Sequence, residues 1–165
     1  MRRRRLIPVA AILSIALLSA CAPVAELFGG DAQATRDAQS GEVTGGGQID
    51  VFTLSVGDCL NDQSASEVYE VPVVPCDEPH DYEVYHDFAL ADGEWDQDAV
   101  YAAADEGCYT AFPDFVGLSY EESTLDFAYY APTQLSWEDG DDRMVSCYIG
   151  DPGTQTTGSL AGVAR

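Results

Sequence analysis

The chain has 165 residues, with 29 acidic against 7 basic side chains and a formal net charge of −22. All the basic residues are arginine, and such a surface repels nucleic-acid phosphates and lacks the Lys/Arg clusters that dock on anionic lipid. Nucleic-acid binding is excluded on that ground, and the absence of lysine also excludes a phosphate-cradling loop of the Gly-Lys type.

Residues 1–20 read as an export leader: Arg2 to Arg5 form a charged start, and Leu6 to Leu18 is apolar apart from Pro8 and Ser14. That stretch is too short to cross a ~30 Å hydrocarbon core, which needs ~20 residues. Leu18-Ser19-Ala20-Cys21 resembles a bacterial lipobox. The resemblance implies that Cys21 takes a diacylglyceryl thioether and becomes the first residue after cleavage, with its acyl chains as a stable anchor. An uncleaved anchor is the first competing reading, opposed by Pro23, Glu26, Gly29 and Gly30. Ordinary secretory cleavage is the second, opposed by the order of the four residues. Loss of the leader removes four arginines and no acid, so the mature chain is more acidic still.

Residues 21–49 are expected to form the lipidated N-terminus and a flexible linker. Residues 22–48 are rich in Ala, Gly, Asp and Gln, close on Gly45-Gly46-Gly47, and carry no sustained apolar period. Such a coil spans about 25–30 Å. The folded part is expected over residues 50–150, followed by a tail over 151–165. Within it, Val51 to Leu54 reads as a strand and Gly57-Asp58 as a turn into Cys59. Val68 to Val74 is a second strand that Pro72 pushes toward an edge, and Tyr82 to Leu90 is a third. A helix follows, with Asp96 as N-cap, Asp98 in its first turn, and Val100, Ala104, Cys108, Ala111 and Phe112 on one face. Pro113 is expected to break it. Leu125, Phe127, Tyr129 and Ala131 alternate as a fourth strand. In the fifth, Val145, Cys147 and Ile149 share one face, opposite Met144, Ser146 and Tyr148.

With Cys21 assigned to lipid, four cysteines remain: Cys59, Cys76, Cys108 and Cys147. An even set in an exported chain reads as two disulfides. No Cys-x-x-Cys occurs, so the spacing does not support zinc. Of the three possible pairings, the face parity favours Cys108–Cys147, which joins the helix stripe to the last strand and leaves Cys59–Cys76. The element order implies an α+β fold: a small, mostly antiparallel sheet of about five strands with one main helix packed on a face. The order of the strands is not readable from this pattern.

Chemistry is sparse. His80 and His86, six residues apart in a strand, lie ~20 Å apart and cannot share a metal. His86, flanked by Val84 and Phe88 on a strand face, reads as structural, whereas His80, in a loop after Pro79, is the histidine better placed for a functional role. Asp92, Glu94, Asp96 and Asp98 alternate like a calcium loop, but Gln97 and Ala103 occupy the positions that need Gly and Glu. There is no Gly-x-Ser-x-Gly elbow. No metal and no cofactor are expected. Tyr82, Tyr85, Tyr129, Tyr130, Trp95 and Trp137 exceed what a small core must bury and could serve a binding surface.

The ordered series Val51-Phe52-Thr53-Leu54-x-Val56-Gly57-Asp58-Cys59, then Val71-Pro72-Val73-Val74-Pro75-Cys76-x-x-Pro79-His80-x-x-Glu83-Val84-Tyr85, resembles the start of the actinobacterial septum-formation domain family. Cys108 in an Ala-rich helix, Pro132-Thr133-x-x-Ser136-Trp137-x-x-Gly140, Arg143-x-Val145-x-Cys147 and the closing Thr157 to Leu160 resemble its second half. The resemblance implies a secreted, lipid-anchored or membrane-attached domain with a part in septum formation, no assigned enzymatic activity and no catalytic set. It marks His80, Glu83 and Trp137 as candidate binding positions that could equally be a loop lock, a strand residue and a packed indole. The expected function is therefore non-catalytic interaction with an envelope protein, on the outer face of the cell membrane. A receptor for a divalent cation or wall ligand is the rival reading, and an unrecognised hydrolase a weaker one.

Overall fold

The computed structural model describes residues 32–63 and 68–165, and the leader with Cys21 lies outside the described residues. The architecture is α+β. A six-stranded antiparallel sheet runs in the order β3-β5-β4-β6-β8-β7, formed by Gly47–Asp50, Glu70–Val74, Cys59–Leu60, Tyr82–Ala89, Met144–Gly150 and Asp126–Tyr130. Two further short strands, β1 (Thr35–Arg36) and β2 (Val43–Gly45), pair with each other.

The main helix, α1 (Gln97–Val116), covers one sheet face. Asp96 caps it as expected, its carboxylate accepting the N–H groups of Asp98 and Ala99. Val100, Ala104, Cys108, Phe112 and Val116 are the buried stripe. Ala104, Cys108, Phe112 and Val116 pack in one cluster with Val145, Cys147 and Ile149 of β8, as the alternation of that strand requires. Pro113 does not break α1. The helix continues one turn because Val116 is buried, and it ends where Gly117 takes a left-handed φ of 87° and donates its N–H to the Pro113 carbonyl.

On the opposite face a second cluster holds Val43, Ile49, Val51, Leu54, Leu60, Val71, Val73 and Val84. Strand β6 contributes to both clusters and carries an irregularity at Tyr85. Val84 pairs with Tyr148 and His86 with Cys147, so Tyr85 is an extra residue in the ladder. Tyr85 joins the helix-side core and Val84 the other, which separates Val84 from the face shared by His86 and Phe88. Strict period-two alternation along this strand, as read from sequence, therefore fails at one residue.

Three further elements differ from expectation. Residues 35–50, read as part of the linker, form β1, β2 and β3, because Val43 and Ile49 supply two buried side chains that a count of Gly and Asp conceals. Val51–Thr53 is a 3-10 turn rather than a strand, since Asp50 accepts the Phe52 N–H and starts a local cap. The segment 151–165 is tied to the domain: Leu160 is buried in the helix-side core, and its end returns to α1 through Ala164 N–H to the Val116 carbonyl. A second short helix, α2 (Gln134–Asp139), starts from a Thr133/Ser136 capping box. Among the described residues no helix is long and apolar enough to cross a membrane.

Candidate functional site

The disulfides are Cys59–Cys76 and Cys108–Cys147. The second fixes α1 to β8 inside the helix-side core, with both cysteines fully buried. Beside it the Tyr85 hydroxyl donates to the Cys108 carbonyl at 2.6 Å. Burial pushes that phenol well above its ordinary pKa, so it remains a donor.

The three candidate binding residues are all buried. His80 is 0% exposed, with Nδ1 at 2.9 Å from the Glu78 carbonyl and Nε2 at 3.3 Å from the Thr156 hydroxyl. Two backbone hydrogen bonds between His80 and Thr156 complete a bridge that pins the loop before β6 to the C-terminal segment. Glu83 accepts the Ser159 hydroxyl at 2.8 Å and the Leu160 N–H at 2.5 Å. Trp137 donates its indole N–H to the Gly93 carbonyl, and the Arg143 guanidinium stacks 3.7 Å above its ring. That guanidinium also donates to the Trp137 and Asp142 carbonyls and pairs with Asp92 and Asp141. The structure does not gather these residues into one site, and their polar atoms are engaged within the fold.

Of the acidic calcium-like run, Asp96 is spent in the helix cap and Asp92 on Arg143. Among the described residues no group of three or more His, Cys, Asp or Glu side chains is placed to hold a metal. Of the noted aromatics, Tyr82 meets Tyr148 edge-on and Tyr130 meets it tilted, on the sheet face away from α1, and Trp95 meets Trp137 edge-on.

The concave surface lies elsewhere, between α1 and β7. This groove encloses about 870 Å³ and is open to solvent. Tyr109 from α1, Tyr120 from the turn after it and Phe127 from β7 form an aromatic floor, with ring centroids 6.0 and 5.2 Å apart along the row. Asp105, Glu106 and Glu121 stand along it. The Tyr109 hydroxyl donates to Glu121 at 2.6 Å and the Tyr120 hydroxyl to Asp126 at 2.7 Å. The Tyr109 hydrogen bond holds the Glu121 carboxyl below its ordinary pKa, while the same carboxylate raises the Tyr109 phenol. Tyr129 is raised by burial and then by Asp105. The groove thus gathers acidic side chains with no basic one in its lining, beside phenols held in their protonated, hydrogen-bonding form. Its lining contains no serine, cysteine, histidine or lysine; its polar groups are carboxylates and phenols.

Sequence reasoning singled out Tyr129 but missed the rest of this groove. A legible signal was present: Tyr101, Asp105 and Tyr109 recur every four residues, one column beside the buried stripe. A second missed feature is the Arg36–Asp58 pair, bidentate at 2.6 and 2.7 Å, with the Asp58 side chain 4% exposed. The Asp58 partner raises the Arg36 pKa further.

A family model described as septum formation matches residues 27–147, which span the Arg36–Asp58 pair, α1, the groove and all four disulfide cysteines. No curated protein and no solved structure matches the chain.

Proposed function

This chain belongs to the septum-formation family, and we propose that it acts as an exported, lipid-anchored module that binds an envelope partner without catalysing a reaction. The observation that carries this reading is the groove between α1 and β7. It is the kind of surface that binds, with an aromatic floor and a charged rim whose Tyr109 hydroxyl and Glu121 carboxylate are tied to each other. His80, Glu83 and Trp137 add nothing reactive to it, since each is spent on internal hydrogen bonds.

Two features support export. The disulfides belong to an oxidising compartment, and the leader with its lipobox-like Leu18 to Cys21 precedes the domain in sequence. In this reading Cys21 carries the acyl chains and the domain stands on the outer face of the cell membrane. The partner is an envelope protein at or near the division septum.

Two measurements test it. Mass spectrometry of the mature protein is expected to find a diacylated Cys21 as the N-terminus, and a chain starting elsewhere removes the anchor from the reading. Photoreactive residues placed singly at exposed positions, among them Tyr101 and Leu135, are expected to yield light-dependent adducts with an envelope protein in dividing cells. No adduct at any position would sink the binding role. Adducts distributed evenly around the cell instead of at division sites would sink the septal part.

A further inference from the structure

We propose that β7 is a docking edge, which accepts an extended basic segment of a partner protein as an additional strand, with the α1–β7 groove receiving that segment's side chains. This deepens the binding role given above and rests on it.

The sheet has two edges, β3 and β7, and they are treated differently. The outer side of β3 is covered by the preceding chain: the Ala34 N–H donates to the Gln48 carbonyl, and the Gln48 N–H donates to the Ala32 carbonyl. The Gln33 side-chain amide donates to the same Gln48 oxygen. Strand β7 pairs with β8 alone. Successive residues of an antiparallel strand direct their backbone groups to opposite sides. The Phe127 N–H is taken by the Asp126 carboxylate at 2.9 Å, which places Phe127, and by alternation Tyr129, on the side away from β8. The Tyr129 N–H and the Phe127 and Tyr129 carbonyls have no hydrogen-bond partner among the described residues.

Edges that must stay unpaired are ordinarily blunted by charged side chains, lysine above all, by proline or by a bulge. Asp126–Tyr130 carries a charge only at its first residue, contains neither lysine nor proline, and runs in register with β8 without a bulge. Beyond the Phe127 N–H that Asp126 occupies, its outward groups at Phe127 and Tyr129 are open beside a groove, the arrangement used in strand addition.

Charge selects the occupant. Asp105, Glu106 and Glu121 rim the groove, and Asp126 begins the edge. The three arginines among the described residues are committed to ion pairs: Arg36 to Asp58, Arg143 to Asp92 and Asp141, Arg165 to Asp151. Pairing β7 with β7 of a second copy would bring two sets of these acids together, which like-charge repulsion opposes. A basic strand satisfies the edge and the rim at once. Its cationic side chains would lie over Tyr101, Tyr109 and Tyr129, whose ring faces attract them.

The test uses the full chain in a neutral detergent and a short peptide of alternating Arg and Val. Binding is expected to slow hydrogen exchange at the Tyr129 amide, the outward N–H of β7 that no group among the described residues occupies. Changing Asp105→Asn, Glu106→Gln and Glu121→Gln together is expected to weaken binding about tenfold, because exposed charges set much of such an encounter. An alternating Glu-Val peptide is expected not to bind. The same Arg-Val peptide N-methylated at alternate residues is expected to lose at least about tenfold, independently of any variant's folding, because main-chain hydrogen bonds carry strand addition. The proposal is overturned by peptide binding that leaves the Tyr129 amide unprotected, or by equal binding of the N-methylated peptide. It is also overturned by protection that grows with protein concentration in the absence of peptide, which assigns the edge to a second copy. Photo-adducts confined to Leu135, with β7 unprotected, would remove this edge while leaving the binding role standing.

Discussion

The carboxylate of Glu83, on the central strand β6, accepts the backbone N–H of Leu160 across 77 residues of chain. The same carboxylate takes the Ser159 hydroxyl, and Leu160 lies 2% exposed in the core beneath α1. Residues 151–165 are therefore a structural part of the domain. Charge-assisted hydrogen bonds to a buried carboxylate contribute about 1.5–3 kcal/mol. Glu83→Ala is expected to lower unfolding free energy by about 2–3 kcal/mol, with Ser159→Ala costing about 1 kcal/mol. Urea unfolding of the two variants checks both values, and a Glu83→Ala protein as stable as the parent would show that the segment is held without this contact.

Cys108–Cys147 joins α1 to β8 across 39 residues, and Cys59–Cys76 spans 17. Loop-closure entropy assigns them about 4 and about 3 kcal/mol. Cys108→Ala, Cys147→Ala and the double variant are expected to lose similar stability, since either single change already breaks the link. Thermal unfolding under non-reducing conditions reads this directly. A double variant much weaker than both singles would contradict the pairing.

Asp87 on β6 keeps one buried carboxylate oxygen without a hydrogen-bond partner. Burial raises its pKa, Asp58 adds to the rise, and the Ser146 hydroxyl, the Val56 amide and His86 oppose it. A carboxyl raised on folding contributes stability that is full below its unfolded pKa near ~4 and is lost as pH rises through the folded value. Asp87→Asn is expected to stabilise the domain at pH 7 and to change it least below about pH 4. Denaturant midpoints across this range decide it. A gain that grows as pH falls has the wrong sign for this cause.

Arg36 and Asp58 join the N-terminal strands to the loop before β4. Asp58 also accepts the Ser55 N–H, so removing Arg36 leaves a buried carboxylate with a single donor. Arg36→Ala is expected to cost about 2–3 kcal/mol, the range for breaking a charged hydrogen bond with one partner left behind. The loss in Arg36→Ala should shrink in an Asp58→Asn background. Independent, additive losses in a double-mutant cycle would mean the pair is not coupled.

The helix was legible because its signals are local. Asp96 ahead of Asp98, and an apolar residue every three or four positions from Val100 to Phe112, are fixed by helix geometry alone. Both disulfide partners could be assigned from the same logic, as Cys108 falls on that stripe and Cys147 on the apolar parity of β8. The β6 irregularity was not legible. One extra residue at Tyr85 turns His86 and Phe88 onto the helix-side face, away from Val84, and a period-two reading assumes no such insertion.

By itself the sequence determined the acidic charge, the α+β class, the capped helix and the even set of four domain cysteines, because each follows from composition or from spacing along one element. Only the tertiary structure decided the fate of residues 35–50 and 151–165, whose few apolar side chains find their partners on distant strands. It alone decided the strand order that leaves β7 at an edge beside Tyr109 and Glu121. Burial of Leu160 against α1, or of Asp58 against Arg36, depends on contacts made far along the chain, and no local period records them.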